Sequence, residues 1–395
     1  MGLRGKGSSW IATAFCVTGI MAGIVSCGGG GGGPSNVTGT TGSNITTKVQ
    51  LGQALFNDTS LSTPAGESCG TCHAASRAFT DPRGGPTSQG VIPGLFGFRH
   101  SPSINYMAFS PTFQDFPAAA GGAIGGQFWD GRAPTLAAQP QVPFLNPTEM
   151  NNPSIATVVS SVQNGPFAAA LEKLYGPSIF SNTQTAFNAI VDAIVNFERS
   201  PAVSPFTSKY DAFLAGKAQL APAEIRGLAA FNGQGGCSGC HTSSPSGDGT
   251  PPLFTNFCYA NLGLPKNPNN PYYTIPAKYN PLGANFIDIG LQTTTGNASD
   301  RGQFMTQSLR NVVLTGPYFH NGLFTTLAQV VNFYNTRDLG GFAPPEVPQT
   351  EDTTELGNLG LSAQQQSDII SFLGTLTDGY TSSSVILASP HFKRP

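Results

Sequence analysis

Cys69-Gly70-Thr71-Cys72-His73 recurs once along the chain, as Cys237-Ser238-Gly239-Cys240-His241, and the remainder of the sequence can be placed relative to these two copies. Both read C-x-x-C-H. Two cysteines three apart present their sulfurs to one edge of a flat macrocycle, and a histidine directly after the second can swing its imidazole onto the metal face; this is the attachment signature of a c-type haem. Given the seven Cys and five His among 395 residues, random placement would produce such a motif roughly 0.002 times per chain. Two copies are far outside chance. A redox dithiol needs no following His, and a zinc clip needs ligands arranged in two pairs, so neither accounts for the pattern. The spacing therefore predicts two covalent haems c, held by Cys69 and Cys72 and by Cys237 and Cys240, with His73 and His241 as proximal iron ligands.

Working outward, a chain of 395 residues is too long for one compact core and fits two domains plus appendages. Only 10% of residues are charged and the net charge is −2. No basic face points to nucleic acid, which is excluded as a partner. Gly (49) and Pro (32) are abundant beside 39% hydrophobic residues, a composition of a folded protein with long irregular loops.

The start of the chain reads as a targeting segment. Arg4 and Lys6 precede an apolar run over residues 10–25, and Ile24-Val25-Ser26-Cys27 resembles a bacterial lipobox, in which the cysteine becomes the acylated first residue. Residues 1–26 are thus expected to be a lipoprotein signal peptide, with Cys27 lipidated; the alternative is an uncleaved anchor, for which the run is short. Six glycines at 28–33 open a Gly/Ser/Thr-rich stretch, so residues 27–47 read as a tether. The expected location is exported, on the periplasmic side, lipid-anchored to a bacterial membrane. Cysteine usage then closes: Cys16 belongs to the signal, Cys27 to the lipid, four to haem, and Cys258 is left as a small buried hydrophobe.

From residue 48 the periodicity is helical. Helices are expected over 49–56, 154–175, 183–198, 222–231, 326–334 and 362–376, with apolar residues three and four apart, as in Phe187, Ile190, Val191, Ile194 and Phe197. Ser200-Pro201-Ala202-Val203-Ser204-Pro205 punctuates the chain like a domain boundary. Residues 242–300 carry no period and read as loop, and no strand alternation supports a sheet. The expected fold is all-α, two cytochrome c-like domains with long irregular loops and one haem c in each: residues 48–203 and 204–395.

Two CxxCH motifs, followed by Phe128-Trp129-Asp130-Gly131-Arg132-Ala133, Leu309-Arg310-Asn311-Val312 and Thr315-Gly316-Pro317-Tyr318-Phe319-His320-Asn321-Gly322, together resemble the bacterial dihaem cytochrome c peroxidase family, which includes the MauG-type enzymes. The resemblance covers roughly residues 48–380. It implies one haem at which peroxide reacts, in the N-terminal domain, and a second that relays electrons from a donor, in the C-terminal domain.

The resemblance also assigns residues. It places a Gln ten positions after the Trp and a Glu twenty after it, here Gln139 and Glu149. A carboxylate over an open iron can take a proton from one peroxide oxygen and return it to the other, general acid–base chemistry that promotes O–O heterolysis; the bland alternative is a surface Glu in a loop. Trp129 resembles the family's inter-haem Trp, which also packs as core. Arg132 either binds a haem propionate through its planar fork or pairs with a neighbouring carboxylate. In part of the family a histidine in the loop after the first haem motif blocks the first iron at rest. Here that loop is Pro86-Thr87-Ser88-Gln89-Gly90-Val91, without histidine, which predicts an open face; His100 is the nearby substitute, or a hydrogen-bonding residue beside a turn.

For the second haem, the position fourteen after His320 is Met in some members and Tyr in the MauG type; here it is Tyr334. Leu327, Val330, Val331 and Tyr334 share one helical face. A phenolate is a harder ligand than a thioether and lowers the potential of its haem. The alternatives are Met305 or His320 as ligand, or a Tyr334 that merely hydrogen-bonds internally. The resemblance further implies Ca²⁺ between the domains at Asn105, Thr315 and Pro317, a hard-oxygen set that leaves little trace in sequence.

Three functions follow from this reading. The first is reduction of H₂O₂ to water with electrons from a small c-type cytochrome or cupredoxin. The second is a MauG-like oxidase acting on Trp or Tyr side chains of a partner protein. The third is a non-catalytic electron-transfer cytochrome, for which Glu149 would be superfluous. Donor, protein substrate and homodimer formation stay open at this level.

Overall fold

In the computed structural model, residues 44–117 and 121–381 are described. The expected signal peptide with Cys16, the lipid site Cys27 and the tether up to residue 43 lie outside them. The helices are α1 (Lys48–Phe56), α2 (Cys69–Cys72), α3 (Gln141–Leu145), α4 (Ile155–Gln163), α5 (Ala168–Tyr175) and α6 (Thr183–Glu198). They continue as α7 (Lys209–Leu214), α8 (Pro222–Asn232), α9 (Gln292–Thr295), α10 (Leu327–Thr336) and α11 (Ala363–Gly374). A single antiparallel pair, β1 (Tyr259–Ala260) with β2 (Phe304–Met305), sets Tyr259 against Met305. This short pair is sheet that period-two alternation cannot reveal, since each strand holds only two residues.

Local chemistry sets the helix ends. Thr47, Thr326 and Ser362 accept from backbone N–H groups one turn on, while Gln50, Gln329 and Gln365 reach back, closing capping boxes at α1, α10 and α11. Pro222 opens α8, where a missing N–H is harmless. The helix expected over 154–175 is in fact two, broken at Gly165-Pro166; proline cannot continue the ladder, and the residue before it avoids the helical region.

Two helix crossings organise the molecule, and they are built alike. A Cβ on Gly52 of α1 would lie 1.8 Å from the Ala193 carbonyl oxygen of α6, and one on Gly227 of α8 would lie 1.9 Å from that of Asp368 in α11. Only glycine lets these backbones meet. In each crossing the glycine-bearing helix stands before its CxxCH motif in sequence and the partner helix after it, and each carries a core phenylalanine, Phe197 or Phe372, against the glycine. Around the first crossing lies a core from Ile45 to Val203, with Leu51, Leu55, Phe144, Phe187 and Ile190 buried. A second core, Tyr210 to Leu376, surrounds the other, with Phe231, Phe254 and Phe372 at its centre. Both belong to one compact unit.

The long connection between β1 and β2 is held by asparagines. Buried Asn267, Asn270, Asn280 and Asn321 direct their Nδ2 donors to the carbonyls of Asn321, Phe98, Tyr272 and Pro265 at 2.8–2.9 Å. Carbonyls without a helix or sheet partner are thereby satisfied away from water.

Candidate active site

The first CxxCH occupies α2 and the turn after it. His73 Nδ1 faces the Phe79 carbonyl at 3.0 Å. A carbonyl only accepts, so Nδ1 carries the proton and Nε2 is left to ligate a metal. Burial holds this imidazole below its ordinary pKa, in the neutral form that coordination needs. A cavity of about 140 Å³ opens beside it, lined by Cys69, Cys72, His73, Trp129, Arg132, Gln139 and Glu149. The sequence-expected residues of the first site are thus brought together, although His73 and Glu149 stand 76 positions apart (149 − 73).

Glu149 follows α3 in the turn 146–149, where its Oε1 accepts from Asn146 Nδ2 at 2.8 Å. Burial raises its pKa, with the Arg132 charge and the Asn146 hydrogen bond pulling the other way. Arg132 donates to Asp130 Oδ1 at 2.9 Å and lies over the Phe128 ring at 3.7 Å from its centroid. It therefore has the neighbouring carboxylate as partner while also lining the cavity. Two further carboxyls that sequence reading missed border the same space: Glu67, pushed up to about 7, and Glu198, pushed up to about 8, both chiefly by burial. Glu198 had left a signal, an acidic residue on the apolar face of α6 one turn beyond Ile194.

The second CxxCH repeats the geometry. His241 Nδ1 donates to the Phe254 carbonyl at 2.8 Å, and burial depresses this imidazole to about 4. A cavity of about 250 Å³ is lined by Cys237, Cys240, His241, Leu327, Val330, Val331 and Tyr334. Its inner wall is the α10 face expected from the sequence. Burial raises the Tyr334 phenol, with the sulfurs of Cys237 and Cys240 next in effect. Among the described residues the Tyr334 hydroxyl forms no hydrogen bond, its ring packs on Phe319 and Phe333, and its backbone carbonyl accepts from the Gly357 N–H at 2.7 Å. Met305 is 2% exposed in β2 between Met107 and Phe257, and it also borders this cavity.

The donor sets fit c-type haem. Each cavity has two cysteines outside any disulfide, a neutral histidine with its outer nitrogen fixed, and apolar walls. Buried imidazole nitrogens without a partner, His100 Nε2 and His320 Nε2, border the second cavity, as expected where a group bearing carboxylates belongs.

Trp129 lines both cavities. Its indole Nε1 donates to the His100 carbonyl at 2.8 Å, its own carbonyl accepts from Met305 N at 2.8 Å, and its ring meets His320 edge-on at 6.4 Å. His320 stacks on Phe304 at 3.5 Å. The His100 ring also borders both cavities, and the charges acting on it are those of Asp81, His73 and Arg77, without Glu149. Next to it Arg99 is buried, gripping Asp288 through Nε and Nη2 at 2.6 and 2.7 Å, with Asp130 at 2.7 Å from Nη1. No local pattern announces a pair 189 residues apart.

Asn105, Thr315 and Pro317 border the second cavity together. Asn105 Oδ1 already accepts from Asn311 Nδ2 at 3.2 Å, and the Gly316 carbonyl accepts from Arg77 at 2.9 Å. Cys258 is half-buried, its Sγ 3.6 Å from the Asn256 carbonyl. Among the described residues no helix is long and apolar enough to cross a membrane.

The family model for di-haem cytochrome c peroxidase matches residues 46–219. The chain is 36% identical to the methylamine utilization protein MauG of Paracoccus denitrificans, over 83% of this chain and 88% of that one. It is 30% identical to cytochrome c551 peroxidase of Nitrosomonas europaea, over 83% and 79%. Among solved structures it is similar to the diheme peroxidase BthA of Burkholderia thailandensis, with TM-score 0.73 and 32% identity over 84% of this chain and 86% of that one.

Proposed function

Because the chain belongs to the di-haem cytochrome c peroxidase family, we propose that it reduces H₂O₂ to water at the first cavity, with electrons entering through the second. The observation that carries this reading is the Glu149 carboxyl in one cavity with His73, Cys69, Cys72 and Gln139. Haem c, when bound there, supplies the iron at which peroxide is cleaved. The chain's own part is proton handling: Glu149 takes the proton from one peroxide oxygen and delivers it to the other, and the Gln139 amide is at hand to orient the bound oxygen pair. The Arg132 charge opposes the rise that burial imposes on the Glu149 carboxyl. Trp129, bordering both cavities, is the aromatic link for electrons between them. The loop at 86–91 carries no histidine, so with haem held by Cys69, Cys72 and His73 it would offer no imidazole to compete with peroxide.

Tyr334 favours a second reading. A phenol oxygen without a partner, facing the second cavity, suits a low-potential haem and the MauG-like withdrawal of electrons from Trp or Tyr side chains of a partner protein. A plain electron-transfer cytochrome would have no use for Glu149. A targeting-like start followed by a tether supports export on the periplasmic side with lipid on Cys27, and one CxxCH motif in each half supports the domain bounds 48–203 and 204–395; the donor proposed is a small c-type cytochrome or cupredoxin.

Stopped-flow mixing of holoprotein with H₂O₂ and a ferrous c-type cytochrome tests the choice. Rapid donor oxidation that falls on the order of 10²-fold or more in Glu149→Gln supports the peroxidase. A long-lived change in the haem bands with negligible donor turnover supports the MauG-like reading. Absorption bands indifferent to peroxide would sink both.

A further inference from the structure

The segment Pro86–Val91 carries no histidine, yet it is closely seated against the rest of the chain. A Cβ on Gly90 would stand 2.2 Å from the Thr148 carbonyl oxygen and 2.8 Å from that of Glu149. Its φ is not in the left-handed region, so what demands glycine here is the space alone. The next residue, Val91, donates its backbone N–H to the Glu149 carbonyl at 2.9 Å. Around these contacts the loop closes on itself, Gly90 N to Leu95 O at 3.0 Å and Gly97 N to Ser88 O at 3.0 Å. Arg83 Nη1 holds the Gln89 carbonyl at 3.0 Å, and the Ser88 and Ser101 hydroxyls meet at 2.6 Å. At its other end the loop touches the second half of the chain: a Cβ on Gly322 would come within 2.6 Å of Pro86 Cα. Gly322 stands two residues beyond His320, which borders the second cavity.

We propose that Pro86–Val91 is a fixed strap that positions Glu149, with Gly90 and the Val91 amide seating it on the backbone of that residue and Gly322 bracing its far end. This rests on the reading of Glu149 as the proton carrier. The Glu149 side chain has one hydrogen bond, to Asn146, and it lies in a turn just beyond α3, so its backbone needs an outside restraint to keep the carboxyl over the first cavity. The strap supplies that restraint through the Thr148 and Glu149 carbonyls. Gly90 is accordingly a positioning residue, touching neither substrate nor cofactor.

The test uses full-length holoprotein and compares the wild type, Gly90→Ala, Val91→Ala and Glu149→Gln in their reaction with H₂O₂ at several pH values. A methyl at Gly90 must push the Thr148–Glu149 backbone away by an ångström or so, and a displacement of that size costs on the order of 10²-fold in a positioned reaction. Gly90→Ala is therefore expected to slow the peroxide reaction towards the level of Glu149→Gln and to move its pH profile. The midpoint potential of the second haem should stay in place. Val91→Ala keeps the amide and should react as wild type. If Glu149→Gln is slow while Gly90→Ala keeps the wild-type rate and profile, the strap is overturned and the proton carrier stands. If Glu149→Gln reacts at the wild-type rate, the proton carrier falls first. Should Gly90→Ala fail to fold, hydrogen exchange on the wild type decides: a Val91 amide protected like the amides of α6 supports the strap, and one exchanging like an exposed loop amide refutes it.

Discussion

Replacing Arg99 by methionine is expected to cost about 4 kcal/mol of folding stability, the range for breaking a buried charge pair from one side. The Arg99 side chain is 6% exposed and those of Asp288 and Asp130 are 8% and 1%. Burial alone would lower the guanidinium pKa, but the two carboxylates outweigh it and raise it. Burial would likewise raise Asp288; Arg99 more than offsets this and holds the carboxyl below its ordinary value of 3.8. The two contacts are unequal. The Asp288 pair is bidentate, whereas Arg99 Nη1 approaches Asp130 at 2.7 Å without hydrogen-bond alignment, and Asp130 has Arg132 as well. Most of the loss should therefore arise at Asp288, and Arg99→Met/Asp288→Asn should recover at least half of it.

The pH dependence gives the sign. With a depressed pKa, wild-type Asp288 adds stability that is present above the unfolded value and is lost as pH falls below about 3.8. Without Arg99, desolvation acts unopposed and the folded pKa rises above the unfolded one, so the variant is penalised most at neutral pH and least in acid. Urea unfolding followed by circular dichroism at pH 7 and pH 5 should show the gap between wild type and Arg99→Met narrowing at the lower pH. A loss below about 1 kcal/mol at pH 7, or a gap that does not change with pH, would mean that water reaches the network and the pair behaves as a surface one, and the reasoning would fail.

The helix crossings offer an opposed pair of substitutions. Gly227→Ala gains about 1 kcal/mol of helix propensity but drives a methyl against the backbone of Asp368, so a net loss of about 2 kcal/mol is expected; Gly374→Ala, where nothing lies within 4 Å, should be neutral or stabilising in the same unfolding assay. Tyr334→Phe removes the phenol oxygen facing the second cavity. Low-temperature EPR should then show an altered signal from the second haem only, together with a less negative midpoint potential; an unchanged spectrum would transfer the ligand role to Met305 or His320.

How much of this could be read from the residues follows from where each piece of information resides. CxxCH is local, so both attachment points were legible, as were the helices whose apolar stripe spans two turns or more, such as α6. The break between α4 and α5 was missed, although Gly165-Pro166 carries it, because the apolar stripe continues on either side. Glu149, Gln139 and Tyr334 were found through spacing within a resemblance, because nothing in Asn146-Pro147-Thr148-Glu149 by itself distinguishes a cavity carboxyl from a surface one. Arg99 with Asp288, and Gly90 with Thr148, were out of reach. An arginine next to a histidine and a glycine in a polar loop look alike whether or not a distant backbone meets them.

The two halves share a crossing and a proximal arrangement but differ on the side facing each cavity, and under the proposed function that difference is what assigns them different work. Gly52 on Ala193 and Gly227 on Asp368 fix the same helix pair twice, and the Phe79 and Phe254 carbonyls fix the two imidazoles alike. Had the helices alone determined the chemistry, the cavities would be equivalent. What separates them comes from outside the crossing: a turn beyond α3 brings the Glu149 carboxyl to the first, and α10 brings the Tyr334 phenol to the second. A carboxyl can shuttle a proton and leave a coordination position free, while a phenol oxygen at ligating distance would close one. Exchanging those two functional groups should therefore do more to interchange the roles of the halves than any substitution at the crossings, whose glycines serve both halves in the same way.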